Sequence, residues 1–265
     1  MIKNFNEINS YSKYLEEWCP LQNAEDFDNV GLLVGDPDSE INKALITIDT
    51  TENIIDEAIS KNCNLIITFH PLIFKGIKSL KSENYVNKCI IKAVKNNINI
   101  YAIHTNLDNN PEGVSFKIAQ KLNLTNTSLL IQKQESNNLG MGIIGEINEF
   151  KSELDFLEYL KIKMDVTNIR HSNFLGKKIK KIAVLGGSGS FAIEEALTKQ
   201  VDCYVTADLK YHDFFKSNEK LLLIDIGHYE SEKYTKDLIL NYLNKKIPKF
   251  ACIIAETRTN PVNYF

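Results

Sequence analysis

Imidazoles and carboxylates recur together at three places in this chain. His70 closes the apolar run Leu65-Ile66-Ile67-Thr68-Phe69 and is followed by Pro71, His104 stands four residues before Asp108, and His228 stands four residues before Glu232. Each of the three histidines comes where an apolar run gives way to a loop, which is where α/β proteins present functional groups. On a helix, residues four apart share a face, so His228 and Glu232 can grip one ion or bridge two. Nitrogen and carboxylate donors without thiolate suit Zn, Mn, Fe, Co or Ni rather than Ca or an iron–sulfur cluster. Two such donor pairs could hold two ions about 3.5–4 Å apart and acidify a water, which is hydrolytic machinery. The same residues also fit blander roles: His70 as a hydrogen-bonded structural histidine, and Glu232 as an acid at a helix start.

Two further clusters carry chemistry. Gly186-Gly187-Ser188-Gly189-Ser190 lies between an apolar run and a helical stretch, where backbone N–H groups favour an anion. Gly187, Ser188 and Gly189 are therefore candidate substrate-binding residues, although a tight turn is the commoner explanation, and the segment lacks the complete dinucleotide or P-loop pattern. Asp208-Leu209-Lys210-Tyr211-His212-Asp213 offers a proton donor or substrate contact, or a surface loop. His104 and His212 are the candidate catalytic acid–base residues; His171, beside Arg170, reads as structural.

The elements that must position these groups alternate. Ala44–Ile48, Leu65–Phe69 and Ile98–Ile103 read as buried strands separated by helices over Thr51–Lys61 and Asn84–Asn96, the pattern of a parallel sheet buried on both faces. Helical spacing also runs from Phe5 to Trp18, and Pro111 fits the first position of a helix capped by Asn110. After a polar connection at Gln132–Asn138 come a glycine-containing strand (Gly140–Ile147), a helix opened by Ser152, and a second strand–turn–helix–strand series through Ile182–Leu185 and Cys203–Thr206. Leu221–Ile226 is a further strand, and a helix opened by His228 runs to about Leu243. Asn64–His70 and Asp202–Asp208 align as polar start, apolar strand, threonine and a ligand-capable residue, a weak internal repeat. These readings give an α/β fold of two similar lobes with mixed or mostly parallel sheets facing a metal-containing cleft. Residues 1–125 form the first lobe, with His70 and Asp108; residues 126–265 form the second, whose C-terminal segment returns His228 and Glu232 to the shared cleft.

Composition narrows the function. The 265 residues carry a net charge of −3, and Arg170 and Arg258 are the only arginines, so the bidentate fork that dominates phosphate and base recognition is scarce and nucleic acid is not an expected partner. The five cysteines are scattered and form no Cys-x-x-Cys pair, as in a reducing cytosol. The N-terminus has no apolar core of signal-peptide length, and no run approaches the ~20 apolar residues of a membrane span. A cytoplasmic protein without membrane contacts is expected.

Asp28-Asn29-Val30-Gly31-Leu32-Leu33-Val34-Gly35, Phe69-His70-Pro71-Leu72-Ile73-Phe74, His104-Thr105-Asn106-Leu107-Asp108, Gly186-Gly187-Ser188-Gly189 and Gly227-His228-Tyr229-Glu230-Ser231-Glu232 together resemble, in order and spacing, the Nif-three-like family, also called GTP cyclohydrolase 1 type 2 homologues. The resemblance spans essentially the whole chain. It implies two similar α/β lobes, a dinuclear metal site in their cleft and a homo-hexameric ring. Carried over by position, His70, Asp108 and Glu232 match ligands of one metal, and His228 with bridging Glu232 matches the second. Many bacterial members have two successive histidines before the proline, whereas this chain has Phe69 and then His70. Phenylalanine cannot coordinate, so one or two divalent ions are expected, the second weakly held and completed by water or His104. The implied activity is hydrolytic opening of the GTP imidazole ring by metal-activated water on a nucleotide or similar small anionic substrate; the alternative is a non-catalytic metal-binding chaperone or regulatory scaffold using the same ligands.

Overall fold

The computed structural model describes residues 8–133, 136 and 138–265. Phe5, and within the expected connection Gln134, Glu135 and Asn137, lie outside the described residues. In chain order the elements are α1 (Ile8–Trp18), β1 (Gly31–Val34), β2 (Ala44–Thr47), α2 (Glu52–Ser60), β3 (Leu65–Thr68), α3 (Tyr85–Lys95), β4 (Asn99–Ala102), α4 (Thr105–Asp108), α5 (Val114–Lys121), β5 (Thr125–Gln132), β6 (Gly140–Phe150), α6 (Glu153–Met164), β7 (Arg170–His171), β8 (Ile179–Ser188), α7 (Ile193–Thr198), β9 (Cys203–Ala207), β10 (Leu222–Asp225), α8 (His228–Glu232), α9 (Thr235–Lys246) and β11 (Cys252–Ile254). None of the helices among the described residues is long and apolar enough to cross a membrane.

The chain is mixed α/β and divides into two compact units, Met1–Leu107 with Thr235–Phe265, and Asp108–Tyr234. These bounds differ from the lobes expected at residues 125 and 126. The C-terminal segment joins the first unit because β11 pairs in parallel with β2. Residues 108–125 join the second because α5 packs on β8, with the Ser115 hydroxyl accepting from the Gly186 amide. The helix expected from His228 to Leu243 accordingly breaks into α8 and α9 where the chain leaves one unit for the other. Pro111 does not open a helix either. Asn110 accepts from the Glu112 amide and closes a local turn, and α5 begins only at Val114 after Gly113, as expected when an Asn side chain satisfies its own loop.

In the first unit the sheet order is β1-β4-β3-β2-β11, antiparallel only at β1. Thr51 caps α2 and Asn84 caps α3 through their side-chain oxygens, which satisfies orphan amides of the first turn. Leu45, Ile66 and Ile100 from three adjacent strands share one core with Ile54, Ile55 and Ala93 of the covering helices. Register matters most. Thr47 pairs with Thr68 and Thr68 with Ala102, so Asp49, His70 and His104 each lie two residues past aligned strand ends.

In the second unit the order is β5-β6-β8-β9-β10-β7, with β8, β9 and β10 parallel and the outer pairings antiparallel. Alternate residues of the central strands feed separate cores on the two faces, Ile182, Val184, Val205 and Ile224 on one and Ala183, Tyr204 and Leu223 on the other. This is why these strands read as continuous apolar runs rather than alternating ones. The two aligned segments, Asn64–His70 and Asp202–Asp208, contain β3 and β9, each flanked on both sides by parallel strands.

One buried carboxylate ties the returning C-terminus to the first sheet. Glu57 on α2 accepts from the amides of Glu256 and Thr257 and from Lys61. Burial alone would raise its pKa, but these donors hold it down at about 2. Replacing Glu57 with Gln should cost about 1.5–3 kcal/mol near neutrality, the range for hydrogen bonds to a charged group. Because the folded value is depressed, the gap between variant and parent should persist above pH ~4 and close as pH falls toward about 2. Urea titrations at several pH values measure this.

Candidate metal centre

Within the first unit, His70 and His104 extend from the carboxyl ends of β3 and β4. The His70 amide donates to the Ile48 carbonyl, prolonging the ladder beyond β3 and fixing the ring's point of departure. Its Nδ1 lies 2.8 Å from Asp49 Oδ1, and Asp49 Oδ2 accepts from the Thr259 hydroxyl at 2.6 Å. His104 repeats the device: Nδ1 is 2.9 Å from Asp28 Oδ1, and Asp28 Oδ2 accepts from the Thr105 amide and hydroxyl. Burial works to raise the Asp28 carboxyl, but His104 and Thr105 outweigh it and hold it at about 2. The two imidazole centroids are 5.3 Å apart and nearly perpendicular. Phe69 is wholly buried, its ring 5.0 Å from His70 and 5.3 Å from His104. It is a packing wedge between the two imidazoles.

The second unit holds a third carboxylate–imidazole pair. His228 opens α8 after Gly227, with Nδ1 2.7 Å from Asp208 Oδ2 and Nε2 3.1 Å from Glu232 Oε2. Burial opposes a charge on His228, yet the hydrogen bonds to Asp208 and Glu232 prevail and push it up to about 11. Glu232 is 3 % exposed and lies against Gly186 and Gly187 near the end of β8. At Gly187, φ is +67° and a Cβ would collide with Glu232 Oε1, so only glycine leaves that carboxylate its place. Asp225 sets the positions of both flanking loops. Its Oδ1 accepts from the Gly227 amide and its Oδ2 from the Leu209 amide, while Arg170 pairs with the same carboxylate and donates to the Leu209 carbonyl. The residues next to His228 and next to Asp208 thus hang from one carboxylate.

The glycine turn plays a different part from the expected anion cradle. The Gly186 amide donates to Ser115, that of Gly187 to the Ser231 hydroxyl and that of Gly189 to the Ala207 carbonyl. Gly187 and Gly189 spend their donors on the protein itself, and Ser188 is exposed at the strand end. What the glycines provide is close approach to Glu232 and to Thr206. His212 is exposed in a short 3-10 turn with its ring near those of Tyr211 and Phe215; among the described residues no carboxylate hydrogen-bonds it, unlike His104. His171 bonds the Ser172 carbonyl and stacks on Phe174, the structural role expected of it. Asp108 is half-buried at the end of α4.

Sequence reading missed the orienting acids. The sequence does not single out Asp49 or Asp225, shows Asp28 only within a motif, and shows Asp208 only as a ligand-capable residue or a possible substrate contact. The available signal was the strand-end rule that found the histidines, since Asp49 and Asp208 each follow an apolar strand by two residues or fewer.

The model of the Duf34/NIF3 (NGG1p interacting factor 3) family matches residues 6–261. The chain belongs to the Duf34/NIF3 family. A Clostridium acetobutylicum protein named GTP cyclohydrolase 1 type 2 homolog is 35 % identical over 228 residues, covering 85 % of each chain. A Staphylococcus aureus protein of known crystal structure superposes with a TM-score of 0.89 at 31 % identity, covering 98 % of this chain and 99 % of its own. A Bacillus cereus protein related to NIF3 gives 0.91 at 24 % identity over 99 % and 100 % of the two chains, a likeness of fold.

His70, His228 and Glu232 are residues that could hold a metal ion. The donor set fits a divalent transition metal: Nδ1–H donation to Asp49 leaves the Nε2 lone pair of His70 as the ligating one, the carboxylate–histidine arrangement common to metal sites. At His228 the fit carries a proton cost. With its folded value raised, its stabilising contribution is complete below the ordinary imidazole range near 6.5 and is lost as pH climbs toward about 11. A metal taking Nε2 must displace that proton. Zn or Mn affinity should therefore rise with pH, approaching tenfold per unit for one proton per ion, and calorimetry in buffers of different ionisation enthalpy should register about one proton released. Binding with no release would remove His228 from the ligand set. Gly187→Ala should separately cost about 1–3 kcal/mol of stability by straining a left-handed backbone position and should weaken metal binding by displacing Glu232; thermal unfolding and metal titration of this variant check both.

Proposed function

We propose that this chain is a divalent-metal-dependent hydrolase acting on a nucleotide or a related small anionic molecule, with His70, Asp108, His228 and Glu232 as the metal ligands. The observation that carries the reading is the repeated device at the strand ends, in which Asp49 aims His70 and Asp208 aims His228 toward ligation. A structural histidine needs any one partner; a ligand needs its tautomer fixed. A bound divalent ion would polarise the substrate and lower the pKa of a water. The name carried by the Clostridium acetobutylicum relative supports opening of the GTP imidazole ring as the reaction, in which water adds to the ring carbon between two nitrogens and one carbon–nitrogen bond breaks. The departing nitrogen must be protonated. His104 is the residue for that task, its Nδ1 held by Asp28 and its ring 5.3 Å from that of His70. His212, exposed and without an orienting acid among the described residues, is set aside for it. With Phe69 at the position that could have supplied another imidazole, one tightly held ion per chain is the expected stoichiometry. The homo-hexameric assembly implied by the family resemblance belongs to the same proposal.

Steady-state assays with GTP and added Mn or Zn test it. Turnover should require metal, should fall at least about 10²-fold in His70→Ala, and should fall about 10²–10⁴-fold in His104→Gln, the range for loss of a general acid, with metal binding in the latter retained. Saturable metal binding without turnover of any nucleotide would overturn the hydrolase and leave a metal chaperone.

A further inference from the structure

The second unit contains a cavity of about 710 Å³ bordered by His171, Asn173, Tyr211, Phe215 and Glu219, within the ~300–1,000 Å³ usual for small-molecule sites. None of the proposed metal ligands borders it. The edge strand β7 and the loop after it supply His171 and Asn173, while the 3-10 turn Tyr211–Ser217 and the residues after it supply the rings and the acid. Tyr211 is 72 % exposed and Phe215 is 66 % exposed, their ring centroids 5.5 Å apart. Rings this uncovered present π faces that attract a cation.

The charge of the wall is one-sided. Glu219 is its one carboxylate, and no lysine or arginine is among its described residues. No hydrogen bond or ion pair engages the Glu219 side chain among the described residues, whereas the neighbouring cations Arg170 and Lys216 are paired with Asp225 and Asp213. Asn218 and Glu219 both hold left-handed backbone, φ +49° and +53°, uncommon outside glycine, so a specific turn presents this acid. His171 adds an acceptor. Its Nδ1 lies 2.7 Å from the Ser172 carbonyl oxygen; a carbonyl only accepts, so Nδ1 carries the proton and the neutral ring keeps its Nε2 lone pair for a ligand's donor. Stacking on Phe174 supports the ring.

We propose that this cavity binds a small arylalkylamine, its ammonium taken by Glu219 with His171 Nε2 as a further acceptor, and its ring lying against Tyr211 and Phe215. An unneutralised acid beside open aromatic faces opposes an anion and favours an organic cation. The site is separate from the metal centre and independent of the hydrolase reading.

Ligand-observed NMR titration of the full chain, with a chelator present, compares molecules that share one phenol ring: tyramine with its ammonium, tyrosol with a neutral hydroxyl and 4-hydroxyphenylacetate with a carboxylate. Tyramine should bind saturably at one per chain and at least about threefold tighter than tyrosol, the scale of an exposed ion pair, and 4-hydroxyphenylacetate should not saturate. Glu219→Gln should bring tyramine and tyrosol within about twofold of each other. Phe215→Leu, which keeps an apolar side chain and removes the π face, should weaken tyramine about two- to fivefold, the range for an exposed cation–aromatic contact. Both side chains are exposed, so the thermal midpoints should stay with the parent's and a folding defect would be seen separately. Equal affinity for tyramine and tyrosol in the parent chain, no saturable tyramine binding, or tyramine affinity indifferent to both substitutions would overturn the proposal. Nα-acetyl-lysine amide bound as tightly as tyramine would overturn it too, by assigning the cavity to a lysine side chain of a partner protein.

Discussion

An imidazole at the end of a strand can do directed chemistry only if its second ring nitrogen is held, and in this chain an aspartate holds it three times. Asp49, Asp28 and Asp208 each accept from, or share a proton with, Nδ1 of His70, His104 and His228 at 2.7–2.9 Å. Each bond removes a rotational choice from the ring and sets which nitrogen faces outward. Asp28 and Asp49 sit in partly buried surroundings, and there the cost is offset by additional donors. Asp28 has the Thr105 amide and hydroxyl, and Asp49 has the Thr259 hydroxyl.

Those donors explain features of the fold that look remote from the site. Thr259 reaches Asp49 only because the C-terminal segment returns to the first sheet, where β11 lies beside β2 and Glu57 captures the two amides that follow. In the second unit, Arg170 on the edge strand β7 neutralises Asp225, whose two oxygens fix the loops bearing Asp208 and His228. Asp208 itself occupies left-handed backbone, φ +56°, and Gly227 has φ +89°. Two unusual turns are thereby held in one arrangement by a single carboxylate, so their strain is carried by the sheet rather than by the pair they aim.

Much of this was legible in the sequence. Runs such as Leu65–Phe69 and Leu221–Ile226 declared parallel strands because both faces are buried, and Thr51, Asn84 and Ser152 marked helix starts through ordinary capping chemistry. The histidines at strand ends followed from the same reading. What stayed hidden depends on distant pairing. The strand β11 is three residues long and half-buried, too short to carry a periodic signal, and its partner lies some 200 residues earlier. The helix break after Glu232 arises because α9 packs in the other unit, which local spacing cannot express. Gly187 reads in the sequence as either an anion-binding or a tight-turn residue, since glycine-rich segments serve both ends, and only the position of Glu232 decides between them. Asp49 and Asp225 were passed over because a lone acid after a strand is common, and its meaning lies in which ring or amide it faces.

The central claim, that these aimed histidines ligate a metal, is tested most directly by elemental analysis of the chain purified anaerobically and freed of loosely bound ions. The account predicts about one transition-metal ion retained per chain, falling well below stoichiometry when His228 is replaced by Ala while the fold is kept. Metal content near zero in the parent chain after exposure to Zn, Mn, Fe, Co and Ni, or full content in the variant, would contradict it.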